Sequence, residues 1–187
     1  MFSARLSLLV VLLSASLGLA GCDGITDDLL PTGDDKRSDV VGGSMGTQVS
    51  QQSPDFSMLD TLGNSRGLYA ELSNPGVTGV VLYFTMWCPI CDVHASHMRA
   101  EVMPNFPSVS FFLVDYVTGS VANSRAAQLA NGYAGIETLV DADQTVFNLY
   151  QASMGTTVVI SSTGNIVMMN EDYKDGVKLT ETLQALP

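Results

Sequence analysis

The sequence predicts an α/β sandwich: a mixed central β-sheet flanked by helices. Three observations carry that prediction. Apolar, β-branched runs such as Val77 to Thr85 and Val109 to Val114 alternate with segments of helical spacing. Thr156 to Ile160 and Ile166 to Met169 are joined by the turn-forming run Ser162-Thr163-Gly164-Asn165, which makes them an antiparallel hairpin. The chain then closes on a helical stripe of Leu179, Leu183 and Leu186. No internal repeat is present.

Each element has a local reason. The ordered body is expected from near Pro54, where Phe56-Ser57-Met58-Leu59 alternates and meets a Gly63-Asn64 turn. Val77 to Thr85 reads as a strand buried on both faces. Pro89 suits the first turn of a helix, where its missing N–H costs nothing. That helix is expected to run to about Val102 and to stop by Pro104. Ser120 to Asn131 has helical spacing through Val121, Arg125 and Leu129, with Gly132 as a natural C-cap. Thr138-Leu139-Val140 fits a short strand, and Asp143 is placed to cap a helix through Tyr150. Val177 to Leu186 is the closing helix.

The 187 residues carry a net charge of −11, which disfavours nucleic acid as a partner. There are three cysteines. Arg5 and an apolar stretch from Leu6 to Leu19 form an export signal, too short for a comfortable membrane span. Its ending, Leu19-Ala20-Gly21-Cys22, resembles the lipobox of bacterial lipoproteins. That resemblance implies cleavage of residues 1–21, lipid on the Cys22 sulfur, and a place in the bacterial cell envelope. Asp23 resembles the signal that keeps such proteins at the periplasmic face of the inner membrane. Residues 22–53 are rich in Asp, Gly, Ser and Thr and read as a flexible acidic tether, with an r.m.s. span of roughly 30 Å. Residues 54–187 form the folded domain.

Cys88 and Cys91 remain, in the run Trp87-Cys88-Pro89-Ile90-Cys91. The pair follows a buried strand and opens a helix. The unpaired N–H groups and positive dipole end of a first helical turn stabilise a thiolate, the reactive form of cysteine. An exported chain permits a disulfide here, and the loop it closes is too small for a major structural staple. The alternative is half of a zinc site, which would need a second pair of ligands, and no further cysteine remains to supply them.

Strand, Trp-Cys-Pro-x-Cys helix, strand, helix, hairpin, helix resembles the thioredoxin fold. Pro54-Asp55-Phe56-Ser57-Met58-Leu59-Asp60 is similar to the opening of the redoxin group, and Leu139 to Tyr150 with the hairpin looks TlpA-like. The resemblance covers residues 54–187. It implies a thiol-disulfide oxidoreductase with Cys88 as nucleophile, Cys91 as resolving thiol, and no cofactor beyond the redox-active disulfide. Partners would be protein thiols and disulfides and a membrane thiol-electron donor, with this chain acting as the reductant. Trp87 and Pro89 would shape the face beside Cys88, and Gly155 and Thr156 the substrate groove.

This chain departs from that pattern in places. Ser153-Met154-Gly155-Thr156 puts Gly155 where the family has a cis-proline. A cis bond without proline costs about 2.5–4 kcal/mol, so a trans bond is expected. Leu82 stands where thioredoxins bury an acid, and Asp92 follows Cys91 where a base is common. His94 and His97 read as polar residues on a solvated or half-buried helix face. An alternative is a Cu(I)-binding carrier of the same fold using Cys88, Cys91 and His94, since soft thiolates select Cu(I). A third reading is a thiol peroxidase: Thr85 stands three residues before Cys88, as in peroxiredoxins, although Val81 replaces their proline.

Overall fold

The computed structural model describes residues 40–170 and 173–187, so Cys22 and residues 1–21 lie outside the described residues. The chain runs β1 (Ser57–Asp60), β2 (Ser65–Gly67), α1 (Leu68–Leu72), β3 (Gly79–Thr85) and α2 (Pro89–His97). It continues through β4 (Val109–Asp115), α3 (Val121–Ala130), β5 (Glu137–Val140) and α4 (Thr145–Leu149). The hairpin β6 (Thr157–Ser161) and β7 (Ile166–Asn170) and then α5 (Val177–Gln184) complete it. Among the described residues the strands form one sheet in the order β2-β1-β5-β4-β3-β6-β7. β3, β4 and β5 are parallel, whereas β6 runs antiparallel to β3, and β7 antiparallel to β6 as the hairpin requires.

Every residue of β3 is buried, because it has neighbours on both edges and a core on each face. Val80, Leu82 and Phe84 point into one core with Leu68, Phe112, Leu139, Val146 and Tyr150. Val81 and Tyr83 point into the other, with Cys91, Ala95 and Met98 from α2 and its continuation and Leu179 and Leu183 from α5. The period-2 alternation of side chains therefore seats the helices on both faces.

Several boundaries differ from the sequence expectation. α2 ends at His97 and passes into a widened turn, Met98–Val102, and a tight one, Met103–Asn105, that holds Pro104. The amides at the start of α4 are capped by Asp141 rather than by Asp143 alone. The Asp141 carboxylate accepts from Val146 N (3.1 Å) and Phe147 N (2.6 Å), while Asp143 takes only Thr145 N. Burial pushes the Asp141 carboxyl up, and these amide bonds oppose the shift. α1, with Leu68 and Leu72 buried, was not expected at all.

The folded body also starts earlier than Pro54. Residues 40–53 belong to the compact unit Val40–Pro187, so the tether reading of 22–53 is corrected at its C-terminal part. Ser50 N donates to Ile166 O, Ile166 N to Gln51 O and Ser53 N to Gly164 O, so this arm lies along the start of edge strand β7. Polar composition hid this, because backbone groups rather than side chains make the pairing. Ser53 then fastens the arm. Its hydroxyl meets the buried Tyr150 hydroxyl, and its carbonyl accepts from Tyr69 Oη at 2.9 Å. Gly164 must lack a side chain, since a Cβ there would stand 2.6 Å from Tyr69 Oη and its φ is +85°.

Burial pushes the Tyr150 hydroxyl up to about 12. An unfolded tyrosine ionises near pH 10. Between pH 10 and 12 the unfolded chain therefore binds fewer protons than the folded one, and stability falls as pH rises. Denaturant midpoints measured from pH 8 to 11.5 should decline above pH 10. Tyr150→Phe should lessen that decline, leaving the part due to Tyr173, whose hydroxyl burial also pushes up to about 12, and should lower stability at pH 8 by about 1 kcal/mol through the lost Ser53 bond.

Candidate active site

The end of β3 delivers the two cysteines. Thr85 is its last residue, and the chain turns through Met86 and Trp87 into α2. Trp87 takes φ +59°, a left-handed conformation that costs a side-chain-bearing residue roughly 1–2 kcal/mol. Its amide donates to the Thr85 hydroxyl at 3.1 Å, which holds the turn. Cys88 follows as the N-cap of α2, with extended backbone, and Pro89 enters the first turn as expected.

Cys88 and Cys91 form a disulfide with Cα atoms 5.0 Å apart, inside the range such bonds span. The Cys88 sulfur accepts the Cys91 amide N–H at 3.2 Å. It therefore occupies the place of an N-cap oxygen, facing one of the helix's unpaired donors. The Cys91 side chain points inward and is 2% exposed, whereas Cys88 is half-buried. Attack from outside reaches Cys88 first.

The surroundings of Cys91 include residues that sequence reasoning passed over. A narrow cavity behind it is lined by Thr85, Trp87, Asp92, Ala95, Asn131 and Tyr133. The Tyr133 hydroxyl donates to the Asp92 carboxylate and, at 2.8 Å, to its carbonyl. Burial, followed by this bond to Asp92, raises the Tyr133 hydroxyl above the usual tyrosine range. Asp92 is thus tied to the loop after α3. Tyr133 lies just past the Asn131 C-cap and left-handed Gly132, and nothing in its spacing marks it as a neighbour of Cys91.

Gly155 and Thr156 lie against the end of β3. Gly155 N donates to Phe84 O and Phe84 N to Thr156 O, both at 3.0 Å. Gly155 has φ +85°, and among the described residues no peptide bond is cis, so a left-handed glycine with a trans bond takes the place of the proline. The Thr156 hydroxyl turns back to accept from Ser153 N at 2.8 Å. Met86, Ile90 and Val93, next to the cysteines in sequence, and Met154, next to Gly155, are exposed.

His94 corrects the expectation of a solvated or half-buried face, whereas His97 is half-buried. His94 is 5% exposed, and its Nδ1 pairs with the Tyr83 hydroxyl at 2.9 Å beneath α2. His97 Nδ1 pairs likewise with Tyr173 Oη, and the Tyr173 ring stacks against His94 at 4.9 Å. Among the described residues no three His, Cys, Asp or Glu side chains converge as ligands. Thr85 is buried with its hydroxyl bound to Trp87 N, and no arginine lines the cavity beside it.

In reduced protein, iodoacetamide at pH 7 should modify Cys88 well before Cys91, as read by peptide mass mapping. Equal rates would contradict the exposure and capping described here.

No family model matches this chain, and no curated protein does. Solved structures do. One is a proposed protein disulfide isomerase from Bacteroides thetaiotaomicron, with 18% identity and a TM-score of 0.63, covering 75% of this chain and 90% of that one. A second is a secreted Mycobacterium tuberculosis disulfide oxidoreductase homologous to E. coli DsbE, with 21% identity and TM-score 0.56, covering 70% and 96%. A third is the peroxidoxin BcpB of the same organism, with 24% identity and TM-score 0.60, covering 77% and 99%. The chain has the thioredoxin-like fold that these proteins share.

Proposed function

We propose that this chain is a thiol-disulfide oxidoreductase that exchanges disulfides with other proteins through Cys88 and Cys91. It works outside the cytoplasm, held to a membrane by lipid on Cys22, and acts as a reductant recharged by a membrane thiol donor. The observation that carries the reading is the Cys88 sulfur, half-exposed at the start of α2 and accepting the Cys91 amide N–H. That bond and the helix dipole favour the anionic sulfur that disulfide exchange needs. The names of two of the fold neighbours, a disulfide isomerase and a disulfide oxidoreductase, support the same chemistry.

The reaction follows from the geometry. The Cys88 thiolate attacks one sulfur of a substrate disulfide, and the other leaves as a thiolate that takes up a proton. Cys91, one turn along and buried, then attacks the Cys88 sulfur, releasing the second substrate thiol and closing the Cys88–Cys91 disulfide. A donor dithiol reverses the last bond and restores the reduced pair. Apolar Met86, Ile90, Val93 and Met154 give polypeptide a surface to rest on during both steps.

The third fold neighbour is a peroxidoxin, but the contacts of Thr85 and His94 favour neither alternative. The His94 nitrogen facing Tyr83 is engaged, and the Thr85 hydroxyl that a peroxidase would turn to peroxide holds the Trp87 turn.

Insulin-disulfide reduction by the purified domain should vanish in Cys88→Ala, whereas Cys91→Ala should trap a mixed disulfide visible on a non-reducing gel. A Cys88–Cys91 potential at or below about −200 mV fits the reductant, and one near −120 mV would make the chain an oxidant instead. In a bacterial host, Cys22→Ser should abolish palmitate labelling and move the protein from membrane to soluble fractions.

A further inference from the structure

The tryptophan beside the disulfide carries an unmet hydrogen bond. Trp87 Nε1 is shut off from solvent and has no partner among the described residues. Trp87 lines the cavity behind Cys91, whose walls stand too close to admit a water-sized sphere. Two acceptors in that cavity are already committed: Thr85 Oγ1 to the Trp87 amide and Asp92 Oδ1 to the Tyr133 hydroxyl. A buried donor without an acceptor costs free energy that an ordinary exposed one does not. In a native fold it calls for an explanation at the site where it occurs.

The other wall of the cavity is Cys91 itself. In the disulfide its sulfur is a weak acceptor. Reduction breaks the S–S bond with two electrons and two protons from a dithiol, and the two sulfurs then separate to van der Waals contact. Cys88 Sγ is held where it is by the Cys91 amide. Cys91 Sγ is the one left to relax, and Trp87 is among the residues that line the narrow cavity beside it.

We propose that the indole N–H of Trp87 is a redox-linked donor, orphaned in the disulfide and satisfied by the Cys91 sulfur once the pair is reduced. This rests on the disulfide-exchange reading above. It gives Trp87 a direct part in the reaction. When Cys91 attacks the mixed disulfide, the Cys88–substrate bond breaks, the Cys88–Cys91 bond forms, and the Cys91 proton ends on the departing substrate thiol. A donor pointed at the Cys91 sulfur stabilises the anion through which that proton leaves, because hydrogen bonds to charged acceptors are the stronger kind. The same donor favours the reduced pair over the disulfide and so raises the reduction potential.

Trp87 is the only tryptophan, so its indole N–H gives a single, unambiguous signal in 15N-labelled protein. On reduction with dithiothreitol that proton should move downfield. In Cys91→Ala under the same reductant it should stay at the oxidised position. In Trp87→Phe the equilibrium with glutathione should favour the disulfide roughly tenfold more than in the parent, about 30 mV for a two-electron couple. An indole shift that is unchanged on reduction, or one that persists in Cys91→Ala and so reports another acceptor such as Asn131, overturns the proposal. So does a Trp87→Phe potential equal to the parent's. These readouts are independent of turnover: a protein that shows them but reduces no insulin sinks the enzymatic reading and leaves the hydrogen bond standing.

Discussion

Strand β3 constrains everything that matters for the chemistry. It pairs on both edges along most of its length, Gly79 to Thr85 against β4 and Gly79 to Tyr83 against β6, and its side chains enter both cores. A strand held on four sides cannot shift its register without moving apolar residues out of a core. Its last residue, Thr85, therefore sits at a fixed point, and the Thr85–Trp87 bond carries that position across the turn to Cys88. A left-handed tryptophan survives there because its surroundings over-determine it, and strained backbone of this kind concentrates at working sites. The sulfur meets the helix amide because the strand, the strained turn and Pro89 all lead there.

The fold and the two cysteines were legible because their signals are local. A β-branched run, a proline in a first turn and a four-residue hairpin loop each dictate structure within a few residues. The supporting groups were hidden because they come from afar in sequence. Tyr133 reaches Asp92 across 41 residues, and Tyr173 reaches His97 across 76. His94 reads as solvated or half-buried because a helical histidine usually is, yet its partner Tyr83 lies on a strand where only burial is expected. Asp141 took over capping from Asp143 because the turn places the earlier carboxylate under two amides, a geometry that spacing alone does not reveal. The arm at residues 40–53 was missed for the opposite reason: a polar segment can be ordered through its backbone when an edge strand offers unpaired groups.

That arm also gives the body a polarity. β6 begins beside Tyr83, near the cysteine end of β3, and runs to Ser161 beside Gly79. β7 starts back from Ile166, and it is at Ile166 that the arm joins the sheet. Residues 50–53 thus meet the sheet at the pole opposite to Thr85 and the dithiol, a strand's length of roughly 20 Å away. Met86, Ile90, Val93 and Met154 are exposed apolar residues. The arm, in turn, removes part of an exposed β7 edge that would otherwise invite pairing with other chains.

The replacement of a cis-proline by Gly155 belongs to the same logic. The loop before β6 still closes on the end of β3, through Gly155 N to Phe84 O and Phe84 N to Thr156 O. What fixes the loop is therefore the pair of bonds to Phe84, with a left-handed glycine supplying the turn and the Thr156 hydroxyl bracing Ser153. Any side chain at 155 would meet a φ of +85° that L-residues avoid, so the position is closed to ordinary substitution. Two unrelated backbone devices, a left-handed tryptophan before Cys88 and a left-handed glycine before β6, thus flank the end of β3. Both lock onto it by hydrogen bonds, to Thr85 and to Phe84, so the rigidity of that one strand is passed to both sides of the redox pair.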